Sequence, residues 1–186
     1  FALYTKDIFK YNLGLYRIMP KIRYREFIEQ LRNSTFFSFR LVESRVGKNY
    51  AKILVKNLRD RGEIVTLCKG WYSFKKSPYL LTKVLGKAYV GLGTAAFLHN
   101  AWNQVPNIII LSPRVGKTIR GGERVIAGEK AILKRISPKM YFGYELKFID
   151  EIEEFIRVSD PEKTLIDAIY FNYPFLDEFL QNLAEL

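Results

Sequence analysis

The fold turns on residues 38–74, SFRLVESRVGKNYAKILVKNLRDRGEIVTLCKGWYSF. Ser38 offers a side-chain oxygen to cap a short helix over Phe39 to Val46. Gly47 can take the positive φ of a tight turn. A longer helix then runs from Lys48 to about Arg61. At ~100° per residue, Ala51, Leu54, Val55 and Leu58 share one face. Asn49, Lys52, Ile53, Lys56 and Arg59 point away from that face or flank the outward one. Gly62 ends the helix. Two β-prone runs follow, Glu63 to Cys68 and Trp71 to Phe74, around Lys69-Gly70, which reads as a hairpin. Upstream, Tyr24, Phe27, Ile28 and Leu31 form the apolar stripe of a helix over Arg23 to Asn33. Helix, short helix, tight turn, longer helix and hairpin, in that order, make the plan of a winged helix-turn-helix.

In that plan the second helix of the pair enters the DNA major groove, whose ~12 Å width admits a helix. The expected DNA-binding residues are Arg40, Arg45, Lys48, Asn49, Tyr50, Lys52, Lys56, Arg59, Lys69 and Trp71. An asparagine can read an adenine edge, and lysines meet guanine or phosphate. Lys69 at the hairpin turn is placed to reach the backbone or the minor groove. Winged helices also serve as protein-interaction modules whose outward faces are merely solvated. Charge favours DNA. Of the net +11, residues 1–80 hold all, with 17 Lys/Arg against 6 Asp/Glu, while residues 81–186 hold 13 of each. A basic segment of that size suits a polyanion, because lysine and arginine release counterions from phosphates. Within the second part, 81–144 carries +8 and 145–186 carries −8.

The rest of the chain reads as mixed α and β. Residues 1–20 are aromatic-rich and form a helix interrupted by Gly14. Ser77-Pro78 starts an amphipathic stretch to Gly86, and the domain boundary is placed there: 1–76 as the winged-helix domain with its extension, 77–186 as a C-terminal α/β domain. Strands are expected at Tyr89-Val90, Asn107 to Leu111, Arg124 to Ala127, Ala131 to Ile136 and Ile156 to Val158. Helices are expected at Gly93 to Ala101, from Asp160-Pro161, and from Phe175 to Leu186. In the helix from Asp160, Leu165, Ile166, Ile169 and Tyr170 make the expected buried stripe. The fold class is α+β. Tyr79 to Leu98 leans apolar, but Lys83 and Lys87 interrupt it, so no membrane partner is expected. One cysteine, Cys68, and no charged-then-apolar leader favour the cytoplasm.

Little in the sequence points to catalysis. Gly116-Lys117-Thr118 resembles the end of a phosphate-binding loop, but that pattern needs a glycine where Leu111 stands. His99 is the lone histidine. It reads as a packed core residue; no zinc site with nitrogen and sulfur ligands is expected, any Ser or Cys triad would have to use His99, and no Gly-x-Ser-x-Gly elbow surrounds a serine. Asp150, Glu151, Glu153 and Glu154 cluster without the acid-x-Lys unit of a metal-dependent nuclease, and read as a solvated or protein-docking face. No catalytic residue, cofactor or metal is expected. Arg114, Lys117, Arg120 and Arg124 are expected to add DNA contacts.

Several motifs resemble the AbiEi family of antitoxins and transcriptional regulators over about residues 35–172. In the first half they are Val46-Gly47, Asn49-Tyr50-Ala51, the Leu-x-x-x-Gly-x-Ile run from Leu58 to Ile64, and Lys69-Gly70-Trp71-Tyr72. In the second half they are Tyr89-Val90-Gly91-Leu92-Gly93-Thr94-Ala95-Ala96, Lys139-Met140-Tyr141-Phe142-Gly143-Tyr144, and Pro161-Glu162-Lys163-Thr164-Leu165-Ile166-Asp167. The resemblance implies an autorepressor that binds inverted repeats at its own promoter. It also implies a C-terminal domain that counters a nucleotidyltransferase-like toxin. The competing expectations are a replication or mobile-element accessory protein without a toxin, an RNA binder and a nucleic-acid-processing enzyme.

Overall fold

The computed structural model describes residues 24–103, 107–174 and 181. The helices expected in 1–20 and 175–186 fall, but for residue 181, outside the described residues. The architecture is α+β: helices with a small three-stranded sheet, then a six-stranded mixed sheet with helices.

The first part comprises α1 (Arg25–Asn33), β1 (Phe37–Ser38), α2 (Phe39–Val46), α3 (Lys48–Asp60), β2 (Val65–Cys68) and β3 (Trp71–Ser73). Ser38 caps α2 as its sequence suggests, its hydroxyl accepting from the Leu41 amide at 3.1 Å. Gly47 joins α2 to α3 at φ 82°, a conformation that disfavours side chains with a Cβ. The apolar face of α3 is buried at Ala51, Leu54, Val55 and Leu58. It packs with Phe27, Leu31, Phe37, Val42 and Ile64 in one core. Each large apolar side chain fully buried there contributes roughly 1.5–3 kcal/mol relative to exposure. The hairpin turns through Lys69-Gly70 between the paired Cys68 and Trp71. Strand β1 was not expected; it pairs antiparallel with β3 and completes the order β1-β3-β2.

A 3-10 turn at Pro78–Leu80 leads into α4 (Leu81–Leu85), β4 (Tyr89–Val90) and α5 (Gly93–Leu98). Helix α5 stops short of the expected Ala101, and Asn100 turns the chain at φ 60°. Next come β5 (Ile108–Ser112), β6 (Gly122–Ile126), β7 (Glu129–Arg135), β8 (Tyr144–Ile149), β9 (Glu154–Ser159) and α6 (Pro161–Tyr170). The sheet order is β6-β7-β5-β4-β9-β8. β5 lies inside the sheet with all five residues buried, which is why it reads as an unbroken apolar run. β8 was missed from sequence. It forms one edge and pairs antiparallel with β9.

One core joins the small sheet to the large one. Leu67 and Cys68 of β2 pack with Leu80, Leu81, Leu85, Ile110, Leu133 and Val158. Polar contacts run alongside: Thr35 and Lys83 both bond Glu154, and Lys75 Nζ donates to the Ile152 carbonyl at 2.5 Å.

The buried stripe expected on α6 is wrong. Ile166, Ile169 and Tyr170 are 45%, 58% and 60% exposed. The face turned inward is Lys163, Thr164, Asp167 and Ala168. Its polar groups find partners there: Lys163 pairs with Asp167, Tyr89 donates to Asp167 Oδ2 at 2.8 Å, and Thr164 Oγ1 lies 2.7 Å from Ser159 Oγ.

Candidate nucleic-acid interface

Helix α3 sets the geometry. Its period sends Lys48, Asn49, Lys52, Ile53, Lys56 and Arg59 outward, and all are exposed. Among the described residues, no ion pair or side-chain hydrogen bond engages Lys48, Lys52 or Lys56. Among the described residues, the Arg59 side chain pairs only with neighbouring Asp60, at 3.9 Å. By contrast, Arg32 and Arg61 are both turned to Glu63, the latter at 3.2 Å. The lysines of α3 are therefore available to an outside anion, while Arg32 and Arg61 share the one carboxylate of Glu63. Arg40 and Arg45 are exposed on α2, next along the chain.

Two expected contact residues are half-buried where the others are exposed. Tyr50 is half-buried on the flank of α3, its ring 5.0 Å from that of Tyr24. Burial and the neighbouring Tyr24 hydroxyl push its phenol pKa up. Trp71 is half-buried, with its ring 5.6 Å from Phe36, and it packs against the core shared with the large sheet. Lys69 is exposed at the hairpin turn. The turn is pinned to the start of α2, because the Phe39 amide donates to the Gly70 carbonyl at 2.8 Å.

The C-terminal cations divide. Arg114 Nη1 donates to the Leu85 carbonyl at 2.7 Å and so helps finish α4. Lys117 is exposed on a closed loop in which the Gly116 amide donates to the Ile119 carbonyl at 2.7 Å. That loop leads into β6, not into a helix, and so has no phosphate-cradling helix start. Arg120 and Arg124 line a groove of about 390 Å³ together with Lys69, Thr66 and Thr118. Sequence reasoning gave Lys69 and the two arginines as separate features. Their meeting has no local signal, because it depends on β2 packing beside β6.

The remaining titratable groups do not converge on an open site. Among the described residues no group of three or more His, Cys, Asp or Glu could hold a metal ion. Asp150, Glu151 and Glu153 are exposed, whereas Glu154 faces Lys83 and Thr35. Burial works to raise the Glu154 carboxyl, but hydrogen bonds from Lys83 and Thr35 prevail and lower it. His99 is packed as expected: Nε2 donates to the Ser159 carbonyl at 2.8 Å, and Nδ1 lies 3.8 Å from Glu145. Tyr89, Lys163 and Asp167 form a closed, buried network. Lys163 is 1% exposed, and its ammonium lies 4.7 Å from the centre of the Phe142 ring. Burial pushes the Asp167 carboxyl up against the pull of Lys163 and Tyr89. Burial and Asp167 push the Tyr89 hydroxyl far up.

One further surface stands out. Leu146 and Phe148 of β8 and Phe155 of β9 are 65%, 45% and 55% exposed. The Phe148 and Phe155 rings lie 5.1 Å apart. A scan against protein-family models finds no match, and a search of curated proteins returns none either.

Proposed function

We propose that this chain is a DNA-binding transcriptional regulator whose first part acts as a winged helix-turn-helix. In this reading α3 is the helix that enters the major groove. Asn49 reads a base edge, while Lys48, Lys52 and Lys56 meet guanine or phosphate. Arg40, Arg45 and Arg59 meet the backbone, and the β2–β3 hairpin is the wing, with Lys69 at its tip. The observation that carries the reading is the outward face of α3. An asparagine and three unengaged lysines are held by a fully packed opposite face, inside the segment that contains the whole net charge of +11. In this reading Tyr50 and Trp71, both half-buried, flank the contact surface.

On its resemblance to the AbiEi family, the chain is read here as an autorepressor and antitoxin acting in the cytoplasm. The apolar face of Leu146, Phe148 and Phe155 supports a protein-docking role for the second part, since exposed contiguous apolar side chains mark interaction sites. A nucleotidyltransferase-like toxin is the partner this reading assigns to it. Co-purification with the product of a neighbouring reading frame of that type is expected, and Phe148→Asp with Phe155→Asp should abolish it. An accessory protein without a toxin would have no such neighbour.

Selection from a randomised duplex pool tests the DNA reading without knowledge of the operator. The wild type should enrich half-sites related by a two-fold, and Asn49→Ala should relax one position within each. A pool that emerges unenriched would remove sequence-specific binding. Enrichment of RNA over duplex DNA in a parallel selection would move the function to RNA.

A further inference from the structure

We infer that the groove between the hairpin turn and β6 is a second phosphate-binding site, which grips the sugar–phosphate backbone of the duplex beside the segment that α3 reads. The inference rests on the DNA reading of α3 and the hairpin, and it extends the interface into the second half of the chain. Its walls come from both halves: Thr66 and Lys69 from the hairpin, Thr118 and Arg120 from the loop before β6, and Arg124 from β6. Three cations and two hydroxyl-bearing residues therefore line one space, and among the described residues no acidic one lines it.

The loop before β6 and the Arg124 side chain are held in place from within. The loop is closed by hydrogen bonds from the Gly116 amide to Ile119 and from the Lys117 and Thr118 amides to Arg114, at 2.7–3.0 Å. Arg124 Nε donates to the Arg120 carbonyl at 3.1 Å, which fixes one edge of its guanidinium and leaves the other edge to bond an anion. Beneath them Leu67, Cys68 and Ile126 are buried, so the floor is packed. A guanidinium offers paired donors that match two phosphate oxygens. A ridge of phosphates running past Lys69 would meet Arg120 and Arg124 next, since all three line the same groove. Contacts of this kind position a protein on the duplex and carry no sequence information.

Salt dependence is the direct readout, because each phosphate contact contributes about −0.9 to the slope of log K against log salt. The probe is a random-sequence DNA duplex of about three helical turns. Arg120→Ala with Arg124→Ala should flatten the slope by about 1.8. The ratio of affinities for selected and scrambled duplexes should stay unchanged. Arg120→Lys with Arg124→Lys should keep the slope, which separates lost charge from a disturbed fold. Lys130→Ala with Lys139→Ala removes the same charge at exposed positions outside the groove and should leave the slope nearly as in the wild type. Equal flattening by the two alanine pairs would reduce the groove to general net charge and overturn the inference, while the α3 reading would survive if Asn49→Ala still relaxes preference. A duplex RNA bound with the larger share of the slope would overturn the assignment to DNA. Absence of any salt-dependent duplex binding by the wild type would overturn both.

Discussion

Lys163 and Asp167 form an ion pair with no solvent around it, and such a pair is tolerated only while both partners are present. Asp167→Leu should leave an uncompensated buried ammonium and lower stability by about 3–5 kcal/mol, read from urea unfolding. Adding Lys163→Met should restore much of that loss, whereas an additive double variant would show that the two groups are not coupled. Gly93 is constrained by approach instead of by charge. A Cβ there would run into the ring of Trp102, and the Tyr173 hydroxyl lies 2.9 Å from its position. Gly93→Ala should therefore cost about 1–3 kcal/mol through overpacking, and an unchanged melting temperature would contradict the placement of Trp102. Cys68 is buried, and burial pushes its thiol pKa up. It should resist alkylation in the native protein and react quickly only in denaturant.

Among the elements, β9 ties the two parts of the molecule together through Glu154, which bonds Thr35 and Lys83. Its carboxyl is lowered from the ordinary 4.5. A group whose folded value is depressed stabilises the fold above its unfolded value and loses that contribution as pH falls through the folded one. Melting temperature should therefore decline below about pH 4.5, and Glu154→Gln should flatten that limb while lowering stability at neutral pH. Parallel pH profiles for the two proteins would contradict the tie. Elements bounded by capping residues were legible in the sequence. Ser38, Gly47 and Gly62 delimit α2 and α3, and Asp160 with Pro161 opens α6. β8 was illegible because its alternation is inverted. Tyr144, Leu146 and Phe148 are exposed, while Lys147, of opposite parity, reaches the Leu98 carbonyl. The stripe on α6 misled for the same reason, since polar residues with mutual hydrogen bonds took the inner face.

Across the whole molecule, positive charge and packing answer different questions. The outward face of α3 followed from helical period alone, because a buried face fixes its opposite. The groove of Lys69, Arg120 and Arg124 did not, because those residues are distant in the chain and meet only when β2 lies beside β6. The most direct measurement is equilibrium binding across a salt series. It compares a duplex carrying the upstream region of the chain's own gene with a scrambled duplex, for the wild type and for Asn49→Ala with Lys52→Ala. The account predicts that the wild type prefers the upstream duplex and that the double variant loses the preference while retaining most of its salt slope. Weak and equal binding of both proteins to any polyanion would contradict it, and would leave the outward face of α3 as a surface for protein contact.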